Sequence, residues 1–241
     1  MGRTFENRKL KMAKRSDRDA KAFTRAGREI SMAVKSGGPD IDNNPALRRA
    51  VQNARSVNMP KDRISAAIQK ASGGDDTTHY EPVLYEGYAP HGIALMVEAA
   101  TDNPTRTIAN VRFAFKKGNG NLGSSGSVAF MFNRYGVFRL SPEGVDRDEL
   151  ELELIDHGLD EIDDGLDEDG NAQLILRCQR EDFGNLQSGL DEKKIEVKSS
   201  GFEWIPTTTT QLEDEQLDEV LKLIDRLEQD DDVQAVFHNL A

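Results

Sequence analysis

The chain has 241 residues, 37% hydrophobic and 31% charged, with a net charge of −12 and a single cysteine. So low an apolar share suits several small domains better than one large core, and one cysteine excludes an intramolecular disulfide. No apolar run approaches the ~18 residues that a membrane span needs, and the N-terminus lacks the apolar stretch of a secretory signal.

The charge is divided along the chain. Residues 1–71 hold 17 Lys and Arg against 7 Asp and Glu, a net +10, whereas residues 72–241 hold 14 against 36, a net −22. Residues 1–15 carry Arg3, Arg8, Lys9, Lys11, Lys14 and Arg15 with little apolar periodicity, which predicts a mobile or conditionally ordered arm. Ser16 with Asp19 resembles a capping box. Ala20, Phe23, Gly27, Ile30 and Val34 follow at helical spacing, and Gly37-Gly38-Pro39 stops that helix. Asn44-Pro45 predicts the cap and first residue of a second helix, with Leu47, Val51, Ala54 and Val57 inward. Met59-Pro60 opens a third, with Ile64, Ile68 and Ala71 inward. The outer faces carry Arg18, Lys21, Arg25, Arg28, Arg48, Arg49, Arg55, Lys61 and Arg63.

After a linker at 72–79 the period changes from helical to alternating. Val83–Tyr85 and Ile93–Val97 predict strands around the turn Ala89–Gly92. Asn103-Pro104 starts a helix with Ile108, Val111 and Phe115 inward, and Gly118 stops it. Ser127–Phe132 and Tyr135–Leu140 predict two strands. A helix at 146–157, an acidic hairpin turning at Asp169-Gly170, a strand at 173–178, a helix at 181–191 and a strand at 195–198 follow. Trp204-Ile205-Pro206 leads to a helix at 213–229, and the chain ends on a strand at 233–237. The stretch 137–198 thus has the order β-α-β-β-α-β. The expected fold is α+β and multidomain: an N-terminal three-helix bundle, a central ferredoxin-like α/β domain and an inserted smaller βαββαβ domain. The expected boundaries are 1–78, then 79–134 with 203–241, with 135–202 inserted.

No residue pattern marks a catalytic centre. Gly118–Gly123 spells G-x-G-x-x-G, but a helix precedes it and a strand follows, the reverse of a dinucleotide site. Gly165 and Leu176 stand where a calcium loop needs Asp and Glu, and the four histidines lack zinc-type spacing. Cys178 sits in an apolar run and reads as a buried structural thiol. No metal, cofactor or small-molecule substrate is therefore expected, and the chain is expected not to be an enzyme. The weaker alternative assembles a hydrolase or metal-dependent site around Asp102, Asn103 and the 118–123 loop. The basic arm and bundle are the feature suited to a polyanion, because each neutralised phosphate releases counterions. Charge alone does not separate DNA from RNA. Arg106 with Asn119, Gly120, Asn121 and Gly123 forms a candidate partner loop, and the acidic face is a candidate surface for a protein partner.

The landmarks together resemble the YebC/PmpR family. They run in order through the chain: Phe23-Thr24-Arg25, Arg28-Glu29-Ile30, Gly37–Asp40, Asn44–Arg48, Asn58–Asp62, Tyr85–Tyr88, Thr101–Asn103, Arg106-Thr107, Gly120–Gly123 and Gly126–Val128. The family's opening Gly-His-Ser-Lys-Trp is replaced here by Gly2-Arg3-Thr4-Phe5-Glu6-Asn7, with Phe5 where Trp would stand. The resemblance implies three domains and a cytoplasmic DNA-binding transcriptional regulator. It also implies a translational alternative, a factor acting on ribosomal RNA at the ribosome.

Overall fold

The computed structural model describes residues 3–73, 78–167 and 170–241, with side chains from residue 18 onward. It divides into two units. The first comprises Met1–Val83, Glu98–Asn110 and Glu228–Ala235; the second comprises Leu84–Val97, Val111–Leu227 and Val236–Ala241.

The first unit opens with three helices, α1 (Arg3–Gly37), α2 (Pro45–Ser56) and α3 (Lys61–Ser72). α1 begins thirteen residues before Ser16. The expected arm and the Ser16 cap are thus replaced by continuous helix. Good helix formers from Arg8 to Arg15, with no glycine or proline among them, let the backbone propagate straight through Ser16. At the other end Gly38 takes φ +86° and donates its N–H to Val34 O at 2.7 Å. Buried Asn44 then organises the return. Its Oδ1 accepts the Leu47 N–H at 3.0 Å, while its Nδ2 donates to Ala33 O and Gly38 O. A methyl group on Gly37 would lie 2.7 Å from that amide, so glycine there lets the cap approach α1. Ile30, Val34, Leu47, Val51, Ala54 and Ile64 close the core between the three helices.

Eight strands form two four-stranded sheets among the described residues. β1 (Glu81–Tyr88), β2 (Ala94–Thr101), β3 (Asn121–Leu122) and β8 (Val233–His238) lie in the order β3-β1-β2-β8. β4 (Phe132–Leu140), β5 (Leu159–Leu166), β6 (Ala172–Gln179) and β7 (Val197–Pro206) lie in the order β5-β6-β4-β7, with every neighbouring pair antiparallel. With α5 (Arg147–Leu154) after β4 and α6 (Phe183–Glu192) after β6, this second sheet carries the β-α-β-β-α-β sequence of the ferredoxin-like motif. Its core is Phe138, Leu140, Leu154, Leu176, Leu186 and Leu190. Cys178 is fully buried here, and burial, aided by the charges of Asp160 and Asp182, pushes its thiol up to about 12. α4 (Pro104–Lys117) is capped by Asn103, whose Oδ1 accepts the Arg106 N–H at 3.0 Å; α7 (Asp214–Glu228) is the last helix.

Two further expected elements differ. Ser127–Met131 is a turn ending in a short 3-10 segment, Ala129–Met131, and not a strand. The buried Glu86 carboxylate takes the N–H groups of Gly126 at 2.7 Å and of Val128 and Ala129 at 2.9 Å, which removes the donors a ladder would need. Trp204–Pro206 belongs to β7, because Pro206, Ile205 and Trp204 pair with Phe132, Asn133 and Arg134. Within the acidic hairpin Gly170 turns with φ +83°, while Asp169 lies outside the described residues.

Candidate nucleic-acid interface

The basic residues of the N-terminal module separate into two groups. Arg25 and Arg28 lie three apart on α1, and both are turned inward. Arg25 donates from Nε to Val233 O at 3.1 Å and from Nη2 to Glu228 O at 3.0 Å. Arg28 donates from Nη1 to Ala100 O at 2.8 Å, pairs with Asp232 at 2.9 Å, and stacks 5.1 Å from the centre of the Tyr80 ring. These two guanidiniums, expected on an outer phosphate-binding face, are instead engaged within the first unit: Arg25 caps carbonyls at the end of α7 and the start of β8, and Arg28 bonds a β2 carbonyl and the Asp232 carboxylate. A long planar donor set is suited to capping such carbonyls.

Asp232 is the hub of this arrangement. Its carboxylate takes Arg28 on one oxygen, and Arg106 at 2.8 Å with Thr107 Oγ1 at 2.6 Å on the other. Burial pushes the Asp232 carboxyl up, but the hydrogen bonds from Thr107 and Arg106 and the two positive charges outweigh it and hold its pKa below the usual value. Arg106 also pairs with Asp102 at 2.8 Å. Arg106 is therefore held in an ion network of the first unit, not in a partner loop. The loop itself belongs to the second unit and is closely packed. A methyl on Gly120 would meet Tyr88 O at 2.7 Å, and one on Gly123 would collide with Ser127 Oγ. Its glycines make room for neighbouring protein atoms. Asn119, at φ +55°, and Asn121 remain exposed.

The second group faces water. Arg48 and Arg55 stand seven apart on one face of α2 and are both exposed. Arg48 is oriented by Asp42 O at 2.7 Å, a contact that fixes its direction without neutralising it. On α3, Lys61 and Arg63 are exposed, and Arg63 lies 5.5 Å from the Phe23 ring of α1. Lys70, seven residues beyond Arg63, shares its face and is exposed too; it is absent from the cations expected from the sequence, although that spacing would have placed it there. Arg18 is exposed and Lys21 half-buried. Arg49 acts on Glu29, whose pKa burial raises against the pull of Arg49 and Asn53. The side chains of Arg3, Arg8, Lys9, Lys11, Lys14 and Arg15 lie outside the described residues. No helix among the described residues is long and apolar enough to cross a membrane.

This chain matches known proteins along its whole length. The model of the TACO1/YebC protein N-terminal domain matches residues 3–74, and that of the TACO1/YebC second and third domain matches residues 80–240. A probable transcriptional regulatory protein of Anaeromyxobacter dehalogenans is 59% identical over 241 residues, covering 100% of both chains. One of Myxococcus xanthus is 57% identical over the same length, again covering 100% of both. Among solved structures, a conserved hypothetical protein, Aq1575, from Aquifex aeolicus superposes with a TM-score of 0.80 at 36% identity, over 92% of this chain and 90% of that one. The chain is a member of the TACO1/YebC family.

Proposed function

We propose that this chain is a non-enzymatic, cytoplasmic transcriptional regulator that binds DNA through its N-terminal helical module. The observation that carries the reading is the set of outward cations on α2 and α3, Arg48, Arg55, Lys61, Arg63 and Lys70, on a chain whose net charge is −12. Such a set neutralises backbone phosphates and carries no base preference of its own. The names of the relatives, probable transcriptional regulatory proteins, support the regulatory role. In this reading the boundaries are 1–78 for the binding module, 79–134 with 203–241 for the central domain, and 135–202 for the inserted one.

The test is fluorescence anisotropy with duplex DNA over a range of salt. Affinity should fall with a log–log slope of about −0.9 for each phosphate neutralised, a slope of roughly −3 to −4 for four contacts. The variant R48E/R55E/K61E/R63E should lose at least about tenfold in affinity at moderate salt and flatten that slope. A variant that binds as tightly as the parent overturns the reading. Ribosomal RNA would use the same cations. Co-sedimentation of the parent, but not the variant, with ribosomes in place of duplex binding would move the target from DNA to RNA.

A further inference from the structure

A second positive surface lies in the otherwise acidic part of the chain. Residues 72–241 hold only 14 Lys and Arg against 36 Asp and Glu, yet α4 contains no acidic residue at all. Arg112, Lys116 and Lys117 are exposed on it; Phe113 stands three and four residues before Lys116 and Lys117, and Arg112 four before Lys116. Phe113 is 59% exposed, and the Lys117 ammonium sits 5.7 Å from its ring centre. The three cations have no ion pair with any described residue.

Two cations in the last turn of a helix have an ordinary explanation, since they complement its negative end. That accounts for Lys116 and Lys117. It accounts neither for Arg112, a turn earlier, nor for an aromatic ring left in water, which the inward residues Val111, Ala114 and Phe115 show is not needed for packing. A ring flanked by cations is the arrangement that takes a single nucleic-acid strand: a base has a flat face to stack, and the adjoining phosphates need positive charge. Exposed Asn119, just past the helix end, adds an amide able to meet a base edge. A protein partner is less suited, because two lysines at the centre of an interface are disfavoured.

We propose that this face of α4 is a second nucleic-acid contact, specific for a single strand, with one base stacked on Phe113 and the neighbouring phosphates on Arg112, Lys116 and Lys117. The site does not require the N-terminal contact proposed above, and either one can fail alone.

The experiment measures binding of labelled single-stranded oligonucleotides, one ribo and one deoxyribo, to the full chain carrying R48E/R55E/K61E/R63E, so that the N-terminal surface is silenced. Residual binding should persist. Phe113→Leu should weaken it about tenfold, Phe113→Trp should preserve or tighten it, and R112E/K116E/K117E should abolish it. All of these positions are exposed, so equal urea midpoints are expected across the set. The oligonucleotide bound more tightly identifies the strand as RNA or DNA. Loss of all single-strand binding on silencing the N-terminal surface overturns this proposal and leaves the first one standing. Phe113→Leu binding as well as Phe113→Trp overturns it too, since an apolar contact would then suffice. An unaffected N-terminal variant with an impaired α4 variant would sink the first reading and keep this one.

Discussion

Asp232 shows how one carboxylate can decide the role of its neighbours. It is 4% exposed at the side chain and receives Arg28, Arg106 and Thr107. Its folded pKa lies below the ordinary carboxylate value of about 3.9. The network therefore contributes in full above that value, and the contribution is lost as the pH falls through the folded pKa. Asp232→Asn leaves the Arg28 guanidinium, only 12% exposed, without its counter-charge. That should cost about 3 kcal/mol, the scale of removing one partner of a buried pair. Urea denaturation should show a lowered midpoint at neutral pH, and the gap between variant and parent should narrow below about pH 4. A gap that is the same at both pH values would mean the loss is packing and not charge.

At the scale of elements, the turn after β3 shows a carboxylate displacing a strand. The continuous apolar run from Val128 to Phe132 favours extended structure, yet Glu86 collects three N–H groups and folds the segment into a turn. Burial pushes Glu86 up, but those backbone donors outweigh it and keep its pKa low, so the acceptor is ionised near neutrality. Glu86→Ala strands three donors and should cost about 2–4 kcal/mol. Limited proteolysis should then cut within 124–131 before any other site, whereas Glu86→Gln, which keeps one acceptor oxygen, should be cut more slowly. The inward arginines of α1 belong to the same scale. Arg25→Glu with Arg28→Glu should lower the urea midpoint by an amount equal to several kcal/mol, while Arg55→Glu with Lys61→Glu should shift it by no more than about 0.5 kcal/mol. Sign reversal on α1 is thus a folding experiment, and sign reversal on α2 and α3 is a binding experiment.

For the whole molecule, the legible part was set by local rules. The Asn44-Pro45 cap, the Gly37-Gly38 stop, the Asn103-Pro104 start and the β-α-β-β-α-β order follow from spacing, capping and turn chemistry, which act within a few residues and leave their marks in the chain. Arg48 and Arg55, read as lying on the outer faces of the bundle, are both exposed on α2. What an ionic side chain touches is set by residues far away in sequence. Arg25 and Arg28 have the same spacing and charge as a phosphate-binding stripe, and partners far away in sequence, Val233, Glu228 and Asp232 with Ala100, turn them inward. Glu86 claims a segment 40 residues downstream by the same means. By itself the sequence determined the division of charge, most of the elements and the family, because composition and short-range geometry are local. The tertiary structure alone decided which cations remain open to a ligand, because neutralising a charge takes a partner that only folding brings near.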